Sequence, residues 1–295
     1  MLKKGSSGGR IAPGADGASL ARRVYRLSPL RWLFAVVRTH RGIGPQDVFV
    51  AAYPRSGTAW MRFMLVELLS GDATFTRIKH EAPYVGRHRA TPAIVPGGGR
   101  LIKTHEPYRP YYQRAIHIVR DPRDVAVSYF HFMQRMGKLT LRAGDDRGAS
   151  MDHFVDAFIR GRVGAFGTWQ THLLSWHHAA DNGASDVLRL RYEDIRADTA
   201  GAVRRIGRWL GADVSAERAA EVVQACAIER MREAERFALA TTPYAFDPRA
   251  VKTGLPAVRE GRAGGWRDTL TPAQQRRFEA FAEGLELMGY SPASA

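Results

Sequence analysis

The run Val48-Phe49-Val50-Ala51-Ala52 followed by Tyr53-Pro54-Arg55-Ser56-Gly57-Thr58-Ala59-Trp60 constrains this chain more than any other stretch. The apolar residues read as a buried strand, Pro54 to Gly57 as a tight turn, and residues 57–70 as a helix. A strand, turn and helix joined in this way aim several backbone N–H groups at one point, and a helix N-terminus favours negative charge. Arg55 adds a planar cationic fork, and Ser56 and Thr58 add hydroxyl donors. The expected occupant is a phosphate-like anion. The loop is not the common nucleoside-triphosphate loop, which needs Gly, four residues, Gly, Lys and Ser or Thr. Here the one Gly follows the cation, and no Lys-Ser or Lys-Thr pair stands in the loop. Taken alone, the motif fits an ordinary strand-to-helix turn with a surface Arg equally well.

Three further segments share its character. Ala115 to Val119 is a short apolar strand with Arg120 at its carboxyl end, and Pro122 opens the next helix. Ligands of open α/β sheets sit at the carboxyl ends of strands, so Arg120 stands where an anion would be. Ser128 follows two turns into that helix. The plainer reading pairs Arg120 with Asp121 or Asp124. Leu101-Ile102-Lys103-Thr104-His105 is a strand ending in a cation, a hydroxyl and an imidazole. Arg259-Glu260-Gly261-Arg262-Ala263-Gly264-Gly265-Trp266-Arg267 is basic and Gly-rich, and suits close backbone approach to an anion.

Together the four segments resemble the sulfotransferases that use 3′-phosphoadenosine 5′-phosphosulfate as donor. The first is similar to that family's Tyr-Pro-Lys-Ser-Gly-Thr-Thr-Trp loop for the 5′-phosphosulfate. Residues 120–128 are similar to its 3′-phosphate segment, Lys103-Thr104-His105 to its Lys-Thr-His triplet, and 259–267 to its Arg-Lys-Gly-x-x-Gly-x-Trp-Lys loop. The resemblance spans about residues 46–290. It implies in-line transfer of a sulfuryl group to a hydroxyl, resting on positioning and charge stabilisation. By the same resemblance Arg55 sits on the 5′ bridge, with Ser56, Gly57, Thr58 and Ala59 giving loop donors. Lys103 steadies the transferring group, and His105 is the general base, with Glu106 in reserve. Arg120, Ser128, Arg259, Glu260 and Gly261 hold the 3′-phosphate, Trp60 stacks on the adenine, and Tyr192 contacts the nucleotide. No metal is implied.

Some positions depart from the animal cytosolic pattern. Arg55 replaces a Lys, and an Arg does not give up its proton in the accessible range, so any proton for the leaving group comes from elsewhere. Glu260 replaces a Lys. Cys226 and Ile228 stand for a Thr and a Phe near the adenine. Pro272 and Arg276 break the short dimer motif, which leaves the oligomeric state open. His177 and His178, on an apolar helix with Trp169 and Trp176, are expected to pack or to line the acceptor side.

The fold expected is α/β: a P-loop-like three-layer domain with a central parallel sheet flanked by helices. Strands are predicted near 47–53, 100–104, 115–120 and 186–191. Helices are predicted at 57–70, 122–136, 151–160, 165–180, 198–211, 215–235 and 271–288. Two connections, 137–150 and 236–258, are longer than plain connectors, and the resemblance implies that they cap the acceptor site. The 295 residues suit one domain over 46–295 preceded by an arm over 1–45. One cysteine excludes a disulfide framework.

Charge is uneven. Of the net +15, residues 1–45 carry +8, from nine Lys or Arg and one Asp. Residues 1–19 are expected to be disordered and 20–38 to form short helices, with Ser28-Pro29 as cap and first turn. Leu30, Trp32, Leu33, Phe34, Val36 and Val37 give the second helix an apolar face. It packs on the domain or, in a sharper reading, makes peripheral contact with anionic lipid. No stretch approaches the ~20 apolar residues that span a bilayer. The donor is made in the cytosol, so the resemblance implies a cytoplasmic enzyme. The acceptor is a small-molecule or lipid-linked hydroxyl. Two rivals remain at this point: a phosphate-loop kinase of small molecules or nucleotides, and a basic nucleic-acid-binding protein. The missing Lys-Ser/Thr pair speaks against the first. The concentration of charge in the arm, with no interleaved aromatic stripe, speaks against specific nucleic-acid binding.

Overall fold

The computed structural model describes residues 29–137, 147–241 and 261–291, and of 29–33 and 147–150 the backbone alone. The expectations for residues 1–28, for most of the two long connections, and for Arg259 and Glu260 fall outside the described residues.

Four strands form one sheet: β1 (Val48–Ala52), β2 (Leu101–Thr104), β3 (Arg114–Val119) and β4 (Asp186–Arg191). Their order is β2-β1-β3-β4 and every pair is parallel, with Val48 opposite both Leu101 and Arg114, and Arg114 opposite Asp186. All five residues of β1 are buried, as expected of an interior strand covered on both faces. Its side chains divide by alternation. Val48, Val50 and Ala52 join one core cluster, while Phe49 and Ala51 join another with Tyr112 and Trp176.

The chain leaves β1 to reach β2 on one side and leaves β3 to reach β4 on the other. The connections therefore diverge between β1 and β3, and a crevice opens at their carboxyl ends. Helix α1 (Pro29–His40) precedes the sheet. Helix α2 (Thr58–Ser70) follows β1 directly, and Met61, Phe63, Met64, Leu65 and Val66 are all buried, so it is covered nearly all round. A short helix, α3 (Phe75–Glu81), comes next. Helix α4 (Pro122–Arg135) follows β3, with the Asp121 carboxylate accepting from Arg123 N at its start and Pro122 in the first turn. Then come α5 (Arg147–Ile159), α6 (Trp169–Asp181), α7 (Tyr192–Ala197), α8 (Thr199–Leu210), α9 (Ala216–Ala225) and α10 (Ile228–Thr241). The described chain closes with α11 (Pro272–Arg276), a 3-10 turn over Arg277–Phe281, and α12 (Ala282–Leu287).

Where elements differ from expectation, a local reason is visible. The helix predicted over 215–235 is two helices, because the first ends at Cys226 and the second starts at Ile228. Its continuation to Thr241 also shortens the connection expected from 236. The helix predicted over 271–288 is broken by the 3-10 turn that lets Phe278 and Phe281 both reach the core. Helices α3 and α7 are too short to show an amphipathic period, so sequence patterning passed over them. Helix α1 runs three residues beyond Val37, to His40.

Candidate active site

The loop after β1 is bent by two left-handed residues, Arg55 (φ 74°) and Gly57 (φ 102°). For Arg that backbone costs about 1–3 kcal/mol, a strain that persists only where the surroundings impose it. At Gly57 the reason is also steric: a Cβ there would lie 2.8 Å from Cδ2 of the Tyr192 ring. Gly57 precedes α2 with no side-chain cap, so the N–H groups of the first turn have no partner within the helix. The Ser56 hydroxyl is fully buried and has no protein partner. A buried donor left this way is costly unless a ligand meets it.

The second cation comes from the end of β3. Arg120 donates to the Arg262 carbonyl at 2.7 Å and to the Arg55 carbonyl at 3.5 Å, and its guanidinium lies 4.4 Å from the centre of the Tyr192 ring. Its Nε is buried without a partner. Asp124, one turn into α4, lies 3.8 Å from Arg120. Asp121 instead binds Arg123 at 2.7 Å, so of the two acids expected near Arg120 only Asp124 serves it. Asp124 also accepts the backbone N–H groups of Gly264 (2.7 Å) and Trp266 (3.0 Å). It therefore draws the Gly-rich C-terminal segment onto the end of β3. Tyr192 adds a second tie, donating to the Gly261 carbonyl at 2.9 Å.

Lys103 and His105 arrive from β2. Burial first, then the charges of Arg62 and Arg55, bring Lys103 down to about 7. The His105 Nδ1 lies 2.7 Å from the Ala52 carbonyl. A carbonyl only accepts, so Nδ1 carries the hydrogen and Nε2 keeps its lone pair. Burial, reinforced by the Lys103 charge, holds the imidazole well below its ordinary value despite that hydrogen bond. Glu106, the reserve base, is otherwise engaged. Its carboxylate accepts from Arg109 Nε and, at 3.2 Å, from the Tyr112 hydroxyl, and lies 3.3 Å from His40 Nε2. It does not line the cavity that His105 lines.

Those residues surround one cavity of about 450 Å³. Arg55, Gly57, Thr58, Ala59, Trp60, Lys103, His105, Arg120, Ser128, Tyr192 and Gly261 all line it. Four segments far apart in sequence thus meet at the crevice between β1 and β3. Trp60 donates from its indole N–H to the Cys226 carbonyl at 3.2 Å, which fixes its ring at the end lined by Cys226 and Ile228. Ser56 lies beneath the loop and does not line the cavity. His177 does not line it either: it lies 2.8 Å from Arg189 and 3.1 Å from Asp181, on the far side of α6.

Sequence reading missed several lining residues. Arg196 stands over the Trp60 ring at 5.4 Å, and Arg262 holds Arg120 through its carbonyl. Phe132, 4.9 Å from the Arg55 guanidinium, joins Tyr129 and Phe166 in an aromatic portion, and Phe75 lines the cavity from the core cluster that holds Cys226. Arg196 had one signal, its i+4 spacing from Tyr192, but that spacing matters only once residues 192–197 are known to be helical. Among the described residues, five cations (Arg55, Lys103, Arg120, Arg196 and Arg262) line the cavity and no carboxylate does. Such a chamber repels cations and neutralises a multiply charged anion.

The fold and this chamber define an α/β protein with an anion-binding site at the carboxyl end of its sheet, and comparison with known proteins gives the family. The family model described as "Sulfotransferase domain" matches residues 45–292. Sulfotransferase 1A1 of Bos taurus is 30% identical over 80% of this chain and 82% of its own length. Sulfotransferase 1C2 of Oryctolagus cuniculus is 26% identical over 80% and 81%. The crystal structure of mouse sulfotransferase SULT7A1 complexed with PAP superposes with a TM-score of 0.63 at 25% identity, over 85% of this chain and 87% of that one. Retinol dehydratase, in complex with androsterone and PAP, shares the fold at TM-score 0.64 and 22% identity, over 85% and 84%. The chain belongs to the sulfotransferase-domain family, and the protein is a sulfotransferase. The kinase and nucleic-acid rivals fall with that finding.

Proposed function

We propose that this enzyme transfers a sulfuryl group from 3′-phosphoadenosine 5′-phosphosulfate to a hydroxyl of a small-molecule acceptor, with His105 as general base. The observation that carries the reading is the chamber itself: five cations from separate segments, no lining carboxylate among the described residues, and His105 at its wall. The residues present fit a bisphosphorylated nucleotide. Arg120, which lines the cavity, has a buried Nε with no protein partner, and the first turn of α2 leaves its N–H groups open. The donor supplies a sulfuryl group on a phosphate anhydride. Arg55, the loop N–H groups and Lys103 would hold its 5′ end. Arg120, Ser128, Arg259, Glu260 and Gly261 would hold the 3′-phosphate, while Trp60 and Tyr192 orient the adenosine. With Nδ1–H committed to Ala52, His105 Nε2 is the atom that takes the acceptor's proton. The aromatic portion formed by Tyr129, Phe132 and Phe166 favours an apolar acceptor body beside that atom.

Substitution of His105 tests the reading. His105→Ala should abolish turnover while leaving affinity for adenosine 3′,5′-bisphosphate within about threefold, since a transition-state interaction is lost and ground-state binding is not. Retained turnover would remove His105 from the mechanism. Location in the cytoplasm, where the donor is made, is part of the same proposal. Contact of the N-terminal segment with anionic lipid is a second reading, favoured by Phe34 and Val37, 71% and 57% exposed on α1. Sedimentation of the full chain with phosphatidylserine vesicles tests it, and absence of binding at low salt would end it.

A further inference from the structure

Helix α1 ends before the stretch matched by the family model, yet its last turn reaches the segment that carries His105. His40 is buried. Its Nδ1 lies 2.7 Å from the Val36 carbonyl, so that nitrogen carries a hydrogen. Its Nε2 lies 2.9 Å from the Tyr112 hydroxyl and 3.3 Å from Glu106 Oε2. The Tyr111 and Tyr112 rings pack against the imidazole at 4.7 and 5.8 Å. Neighbouring residues stitch the same turn in place: Arg89 donates to the Arg38 carbonyl at 3.0 Å, and Thr39 packs against Gly86.

Glu106 directly follows His105, and its groups are held from outside the cavity. Its N–H donates to the Thr104 hydroxyl at 3.1 Å, and its carbonyl accepts from Trp176 Nε1 at 3.2 Å. Its carboxylate converges with His40, Arg109 and Tyr112. A ring one residue away, tethered through Nδ1 to Ala52 and packed against the Tyr84 and Phe166 rings, also takes its orientation from this fixed backbone. Misplacing a catalytic group by about 1 Å costs on the order of a hundredfold in rate.

Resting on the reading of His105 as base, we propose that His40 is a positioning residue: it keeps the Glu106 carboxylate out of the cavity and so sets the His105 ring toward the acceptor. Helix α1 is then part of the catalytic unit rather than a detachable arm. The Glu106 carboxylate that His40 faces is ringed by His40, Arg109 and Tyr112, and none of these lines the cavity.

The test uses the full chain with labelled histidine nitrogens, and reads kcat, acceptor KM, bisphosphate affinity and the His105 ring resonances. In His40→Ala, kcat should fall about tenfold or more, with KM and bisphosphate Kd within about twofold and the His105 signals displaced. His40→Gln, which still offers Glu106 a donor, should recover most of the rate. The double variant with Glu106→Ala should be no worse than the poorer single one, because the two residues act as a unit. Unmoved His105 signals would overturn the proposal, whatever happens to the rate, and so would an unchanged kcat. If His40→Ala does not fold, Glu106→Gln is close to isosteric and answers by the same two readouts. Should His105→Ala keep full turnover, the base assignment fails on its own, while the ring resonances still report whether His40 positions His105.

Discussion

Arg55 donates from Nε to the Ser128 hydroxyl at 3.3 Å, across 73 residues of chain. The resemblance sets these residues at opposite ends of the nucleotide, one on the 5′ bridge and one on the 3′-phosphate. In the protein they are joined, with the Phe132 ring 4.9 Å below the guanidinium. On the proposed assignment the two anion subsites share a wall, and occupancy of one would bear on the side chain of the other. Ser128→Ala should weaken adenosine 3′,5′-bisphosphate about ten- to a hundredfold, the worth of a charge-assisted hydrogen bond, in titration calorimetry. No change in affinity would separate the subsites again.

Lys103 gives the site a pH dependence. In the free protein it sits at about 7, lowered by burial and then by Arg62 and Arg55. A bound anion favours its charged form. Binding above neutrality therefore takes up a proton, and affinity should fall as pH rises through 7 and beyond, by at most about tenfold per unit. Calorimetry in buffers of different ionisation enthalpy counts that proton. Lys103→Arg, fixed in charge, should abolish the uptake.

Gly57 has no room for a side chain. Gly57→Ala places a Cβ 2.8 Å from the Tyr192 ring and puts a non-Gly residue at φ 102°. The expected cost is about 1–3 kcal/mol from the backbone alone, read in urea unfolding. Bisphosphate affinity should fall as well, because Tyr192 moves away from both Arg120 and Gly261.

Asp124 is the structural hinge of the C-terminal segment. Asp124→Ala leaves Arg120 without its carboxylate and two N–H groups, on half-buried Gly264 and buried Trp266, without their acceptor. Loss of about 3–5 kcal/mol is expected, as for one member of a buried ion pair. Since Arg120 is then free to turn, nucleotide affinity should drop together with stability. Wild-type affinity in a destabilised variant would show that the Arg262 carbonyl suffices to hold Arg120.

Much of this was legible in the chain, for a physical reason. The interior strand β1 is a continuous apolar run and the edge strand β4 alternates apolar with charged residues, patterns that set β1 to β4 within a residue or two of expectation. Anion loops need Gly, cations and hydroxyls in short local order, and Arg55, Lys103, Arg120 and Gly261 carry that order in sequence. What sequence could not give is whatever depends on which distant groups face each other. Glu106 beside His105 reads as a second base, but folding hands it to His40, Arg109 and Tyr112. His177 and His178 read as packing or acceptor-side residues, and helical phase turns His177 toward Arg189 and Asp181 and out of the cavity lining. Arg196 and Phe132 join the cavity only because short helices and side-chain reach bring them there. Local pattern thus determined the elements and the anion chemistry. The tertiary packing alone decided which charges are paired off and which are left to meet a ligand, because pairing depends on distances between segments that no local pattern encodes.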